Sequence, residues 1–129
     1  MSIKRLWFVV FAILPLSAFA HHSVSYNFSE EILELEGTIT SVKWVNPHGS
    51  FLLKVPLEDG TTQEWLIEML AKIALQRQNF DFDALQNGTK IKLTGRRSHR
   101  GHTMRFGEAT LPDGRVIKER IPSALPSTP

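Results

Sequence analysis

Ile32-Leu33-Glu34-Leu35-Glu36-Gly37-Thr38-Ile39-Thr40-Ser41-Val42-Lys43-Trp44-Val45 is the stretch on which the fold turns. Leu33, Leu35 and Ile39 share one parity, and Val42 and Trp44 share the other. Successive strand residues face opposite sides, so a parity change inside one long strand predicts a bulge or a sharp coil. Gly37 is the expected bend. Asn46-Pro47-His48-Gly49 then reads as a turn. Phe51 to Val55 reads as a second strand, Glu58-Asp59-Gly60 as a hairpin, and Gln63 to Glu68 as a third strand with Trp65 and Ile67 on one face. Met69 to Arg77 has helix composition, with Leu70, Ile73 and Ala74 at helical spacing. Turns at 83–88 lead to a fourth strand, Lys90 to Gly95, with Ile91 and Leu93 alternating. Arg96 to Gly101 reads as a basic loop and Thr103 to Thr110 as a fifth strand. Pro112-Asp113-Gly114 turns into a short sixth at Val116-Ile117. Three strands, a helix, then two or three strands predict an all-β chain with one short helix, a small five- to six-stranded OB-like Greek-key barrel. A small open α+β sheet is the alternative.

The ends read differently. Lys4-Arg5, the apolar run Leu6 to Leu14 and Ala18-Phe19-Ala20 have the three parts of a secretory signal peptide over 1–20. The apolar run is too short for a bilayer, which needs about 20 residues. Export by the general route to the periplasm is expected, with no stable membrane insertion after cleavage. The barrel with its N-terminal arm is then expected over 21–121, and 122–129 (PSALPSTP) as a disordered tail. The whole chain of 129 residues has 15 Lys+Arg against 13 Asp+Glu. The excess comes from Lys4 and Arg5, so the processed chain is neutral and the charge argument for nucleic acid falls away. Its charge is uneven along the sequence, acidic to Glu68 and basic from Met69 onward. Complementary strand surfaces are the simplest expectation.

There is no cysteine, which excludes disulfides, thiolate metal sites and a cysteine nucleophile. No Gly-x-Ser-x-Gly, P-loop or Gly-x-Gly-x-x-Gly is present. Five histidines remain. Cleavage after Ala20 makes His21 the first residue and His22 the second. A terminal amine and the His21 Nδ1 form a chelate suited to Cu(II), and one further imidazole completes a three-nitrogen site. His48 falls in the first turn, and His99 and His102 fall in or beside the fourth-to-fifth strand loop, two loops expected to flank an OB ligand face. Met104 is a candidate soft ligand for Cu(I). Possible copper is therefore the only cofactor suggested. Arg96, Arg97, Arg100 and Arg105, with Trp44 or Phe106, are candidates for holding an anion or glycan. Trp44, Asn46, Trp65, Glu68, Arg96, Arg97 and Arg100 make up the expected ligand face. The sequons Asn27-Phe28-Ser29 and Asn87-Gly88-Thr89 matter only in a eukaryotic host.

Ala20-His21-His22-Ser23, the strand from Glu36 to His48 with Trp44-Val45-Asn46-Pro47-His48, Trp65-x-Ile67-Glu68, Asn87-Gly88…Thr94-Gly95 and Leu111-Pro112-Asp113-Gly114-Arg115 together resemble an exported bacterial family known only as a domain of unknown function. The resemblance covers nearly all of the processed chain. It implies a Gram-negative cell-envelope protein and no activity. It carries over only His21, His22, Trp44, Asn46, Pro47 and His48. Ser50 stands where that family's pattern has a bulkier, often aromatic, residue. The leading expectation is a small periplasmic binding protein, not an enzyme, that binds copper at the processed N-terminus. An envelope interaction or small-ligand OB module without metal is the alternative, its partner an envelope protein or small ligand. A copper-dependent oxidoreductase is a third.

Overall fold

A computed structural model of the chain describes residues 28–120. The signal sequence, His21, His22 and the 122–129 tail lie outside the described residues. Six strands run β1 Phe28–Lys43, β2 Ser50–Pro56, β3 Thr62–Glu68, β4 Lys90–Ser98, β5 Thr103–Thr110 and β6 Val116–Lys118. Helix α1, Lys72–Arg77, and a 3-10 turn, Phe82–Ala84, lie between β3 and β4. The sheet order is β3-β2-β1-β4-β5-β6, and a parallel pairing of β3 with β5 closes it. That closure rules out the open α+β sheet. A five-stranded barrel of order 1-2-3-5-4-1 with its helix between β3 and β4 is an OB-type barrel.

Strict alternation makes the core. Phe51 and Leu53 of β2, Trp65 and Ile67 of β3, and Ile91 and Leu93 of β4 are buried, while Lys54, Glu64, Leu66 and Lys92 on the other parity are exposed. Each such apolar side chain contributes roughly 1.5–3 kcal/mol on burial. The first half of β1 pairs with β4, from Phe28↔Ser98 to Thr38↔Lys90, and the second half pairs with β2, from Thr38↔Lys54 to Lys43↔Ser50. The expected bulge is present, three residues beyond Gly37: the register with β2 slips between Ile39 and Ser41. Gly37 does something else. A Cβ there would lie 2.5 Å from the Lys54 carbonyl oxygen, so its missing side chain lets β1 pass close to β2 as it changes partner.

Two expectations need correction. Helix α1 starts at Lys72 rather than Met69, because Met69 and Leu70 continue the ladder. The Met69 N–H donates to Gly49 C=O (2.8 Å), and the Gly49 N–H donates to Leu70 C=O (2.9 Å). Leu75 is the fully buried residue of the helix, whereas Ile73, expected inside, is 47% exposed. Arg96, Arg97 and Ser98 belong to β4, opposite Arg105, Met104 and Phe28. The basic loop therefore shrinks to 99–102.

Candidate functional site

The Trp44-to-Gly49 motif docks α1 onto the barrel. The Val45 C=O accepts the Lys72 N–H (3.1 Å), and Asn46 Oδ1 accepts the Ile73 N–H (3.2 Å). Ala71, the residue before the helix, offers no side-chain cap, so Asn46 supplies one from a different loop. Trp44 sits edge-on to Phe80 and Phe82, with ring centroids 5.9 and 5.0 Å away. Asn46 and Trp44, expected on a ligand face, are thus engaged in holding the helix and the 3-10 turn. Asn46→Ala is expected to cost about 1 kcal/mol, the usual loss of an N-terminal cap, read as a lower urea midpoint with an unchanged slope. His48 is exposed and makes no hydrogen bond or ring contact with the described residues.

The β4–β5 end is held by β1, β3 and its own turn. Ser29 Oγ donates to Arg97 C=O (3.1 Å), and the Arg100 N–H donates to Ser98 Oγ (3.2 Å). The His102 ring lies edge-on to Trp65 at 5.1 Å, and its C=O accepts the Leu66 N–H. Trp65 itself is in the core. His99, Arg97, Arg100 and His102 are exposed. Arg96 pairs loosely with Glu30 at 3.6 Å, a half-exposed contact of little energetic weight.

The two histidine loops meet the chain at different points along and just beyond β3. His102 meets β3 at Leu66, and the neighbour of His48 meets the chain at Met69 and Leu70. Three to four residues of strand separate those points, about 10–13 Å. Among the described residues no three His, Asp or Glu side chains lie together as a metal would need. Met104 is fully buried, and Phe106 nearly so. Neither is free to serve as a soft ligand or an exposed platform, because β5 turns both into the core.

Arg105 is not part of the basic loop. It occupies a seam on the edge of β5, where β3 pairs with residues 103–105 and β6 with residues 108–110. Its Nη2 lies 2.5 Å from Glu119 Oε1, and its Nη1 donates to Glu68 C=O at 3.0 Å. Glu119 Oε2 accepts the Leu70 N–H at 2.8 Å. The two side chains are 7% and 1% exposed. Burial pushes the Glu119 carboxyl above its ordinary range, against the opposing pull of Arg105 and the Leu70 N–H. Glu68, a candidate on the ligand face, enters this seam through its carbonyl. Glu119 went unnoticed in sequence, although it shares the parity of Ile117 across Val116-Ile117-Lys118-Glu119, and that parity points it inward. Near it, the Gln78 carboxamide grips the backbone of Arg120, donating to its C=O (2.7 Å) and accepting its N–H (2.6 Å).

The strand order and closure define an OB-type barrel, with exposed histidines and arginines at its β4–β5 end. The chain belongs to a family of unknown function, DUF6152, whose match runs over residues 10–107. No curated protein matches it. Among solved structures, the N-terminal domain of PriB from Thermoanaerobacter tencongensis, described as dimeric, is 19% identical over 67% of this chain and 96% of that one, with a TM-score of 0.47. No helix of the described residues is long and apolar enough to cross a membrane.

Proposed function

We propose that this is a small periplasmic binding protein that holds a copper ion, without catalysing a reaction, at the processed N-terminus beside the β4–β5 loop. The observation that carries this reading is the pairing of Phe28 with Ser98. The first described residue lies against the residue that precedes His99. His21 is seven residues upstream of Phe28, so covalent reach limits it to about 25 Å from that anchor. His99 and His102 fall in that range and are the histidines nearest to that anchor along the chain, while His48 follows the other end of β1. The terminal amine and His21 Nδ1 chelate the ion, and His99 or His102 adds the third nitrogen, a donor set that suits Cu(II). His22 is the remaining nitrogen donor nearby.

Native mass spectrometry and titration with Cu(II) test this on correctly processed protein and on protein carrying an extra N-terminal Met. One ion per chain is expected for the first. Blocking the terminal amine, or changing His99 and His102 together to Ala, is expected to weaken binding by at least the roughly 10- to 100-fold that follows loss of a supporting partner in other metal sites. His48→Ala is expected to bind as the parent does. Equal, weak binding by the processed and Met-extended proteins would overturn the reading. Binding lost with His48 but kept without His99 and His102 would move the site to the other loop.

A further inference from the structure

The first half of β1 has one neighbour. Residues 28–38 pair with β4, and β2 joins β1 only from Thr38 onward. Beyond that point β2 ends at Val55-Pro56 and parts from β1. Among the described residues nothing pairs with the other edge of Phe28–Gly37, a length of about 30 Å. A groove of about 370 Å³ opens where the strands diverge, lined by Glu34, Leu35, Glu36, Val55, Pro56 and Lys90 among others. Unpaired main-chain donors and acceptors beside such a groove are what an added strand uses: the backbone gives affinity and the groove receives a side chain.

The charges select the occupant. Glu30, Glu31, Glu34 and Glu36 are all exposed on this half-strand, which carries no basic residue, and Ile32 among them is 62% exposed. Pairing with a second copy would set glutamates against glutamates, which disfavours self-association. We propose that the open edge of β1 accepts an extended segment of a partner protein that alternates basic and apolar residues. An apolar side chain seats between Leu35, Val55 and Pro56, and the basic ones face Glu34 and Glu36. This edge is independent of any metal, so the outcome below leaves the copper reading where it stands.

The test is amide exchange by NMR on the purified chain, with a short peptide alternating lysine and valine and the same peptide with glutamate for lysine. The lysine peptide is expected to slow exchange at the open-edge amides within 29–37 by more than about tenfold, and the glutamate peptide to leave them unchanged. Glu34→Lys is expected to weaken that preference. This position avoids Glu30, which pairs with Arg96, and Glu36, which stands opposite Lys92. Should that variant not fold, the contrast between the two peptides on the parent protein decides alone. Slowing by neither peptide, or by both equally, would overturn the proposal. So would edge amides already protected in the free chain, since residues of the chain itself would then cover the edge.

Discussion

Glu119→Ala is expected to destabilise the fold by about 3–5 kcal/mol, the usual result of removing one member of a buried ion pair. It strands the Arg105 charge at 7% exposure and takes the acceptor from the Leu70 N–H. Urea unfolding would read this as a lower midpoint. The pair itself is not the source of the stability: two charges taken out of water lose hydration that their attraction only partly restores. Arg105→Met combined with Glu119→Leu is therefore expected to recover most of the loss. A residual deficit of about 1–3 kcal/mol would reflect the Leu70 N–H left without its partner. The pH dependence has a definite sign. The folded-state value of Glu119 is raised above the ordinary 4.5, so the group binds its proton more tightly folded than unfolded. Its contribution is fully present below 4.5 and is lost as pH rises through the folded-state value. The stability difference between the parent and Glu119→Gln is expected to shift against the parent across that window. A difference that moved in the opposite direction would contradict the burial of this carboxyl.

Gly37→Ala is the second large effect. In an ordinary strand this change gains roughly 0.5–1 kcal/mol by restricting the unfolded chain. Here the new methyl would stand 2.5 Å from the Lys54 oxygen and 3.0 Å from Leu53 Cγ. The first contact is with backbone, which cannot rotate away, so β1 and β2 must separate. Overpacking of this kind costs about 1–3 kcal/mol and occasionally more. The midpoint is expected to fall. A rise would mean that the strands do not approach so closely at this point.

Much of the barrel was legible because its strands are half-buried. Lys90-Ile91-Lys92-Leu93 alternates cleanly, and a period of two has a single structural meaning. The parity change after Ile39 was visible for the same reason, and Gly37 marked the neighbourhood, although the extra residue lies nearer Thr40. The start of α1 was not legible. Met69 and Leu70 have helix composition, but their main chain is claimed by Gly49, some twenty residues earlier, and such a tertiary bond leaves no local trace. Arg96 and Arg97 looked like loop residues because basic pairs are usual in loops, yet they continue the ladder opposite Met104 and Arg105. The candidate site was legible only as residue types. Histidine at 48, 99 and 102 can be read from the chain, but which loop lies beside the start of β1 depends on Phe28 meeting Ser98, a contact between residues far apart in sequence.

The divided pairing of β1 also bears on how the chain folds. Its first ten residues find their partners 54 to 70 positions downstream, at Ile91 for Gly37 and at Ser98 for Phe28. The β2–β3 hairpin needs only nearby residues. β1 leaves the ribosome before either of its partner strands and is completed only when β4 arrives. High contact order of this sort places small β-barrels in the slow range, about milliseconds to seconds. Until β4 arrives, a long alternating segment stands unpaired, and its glutamates then act as a guard against aggregation during folding.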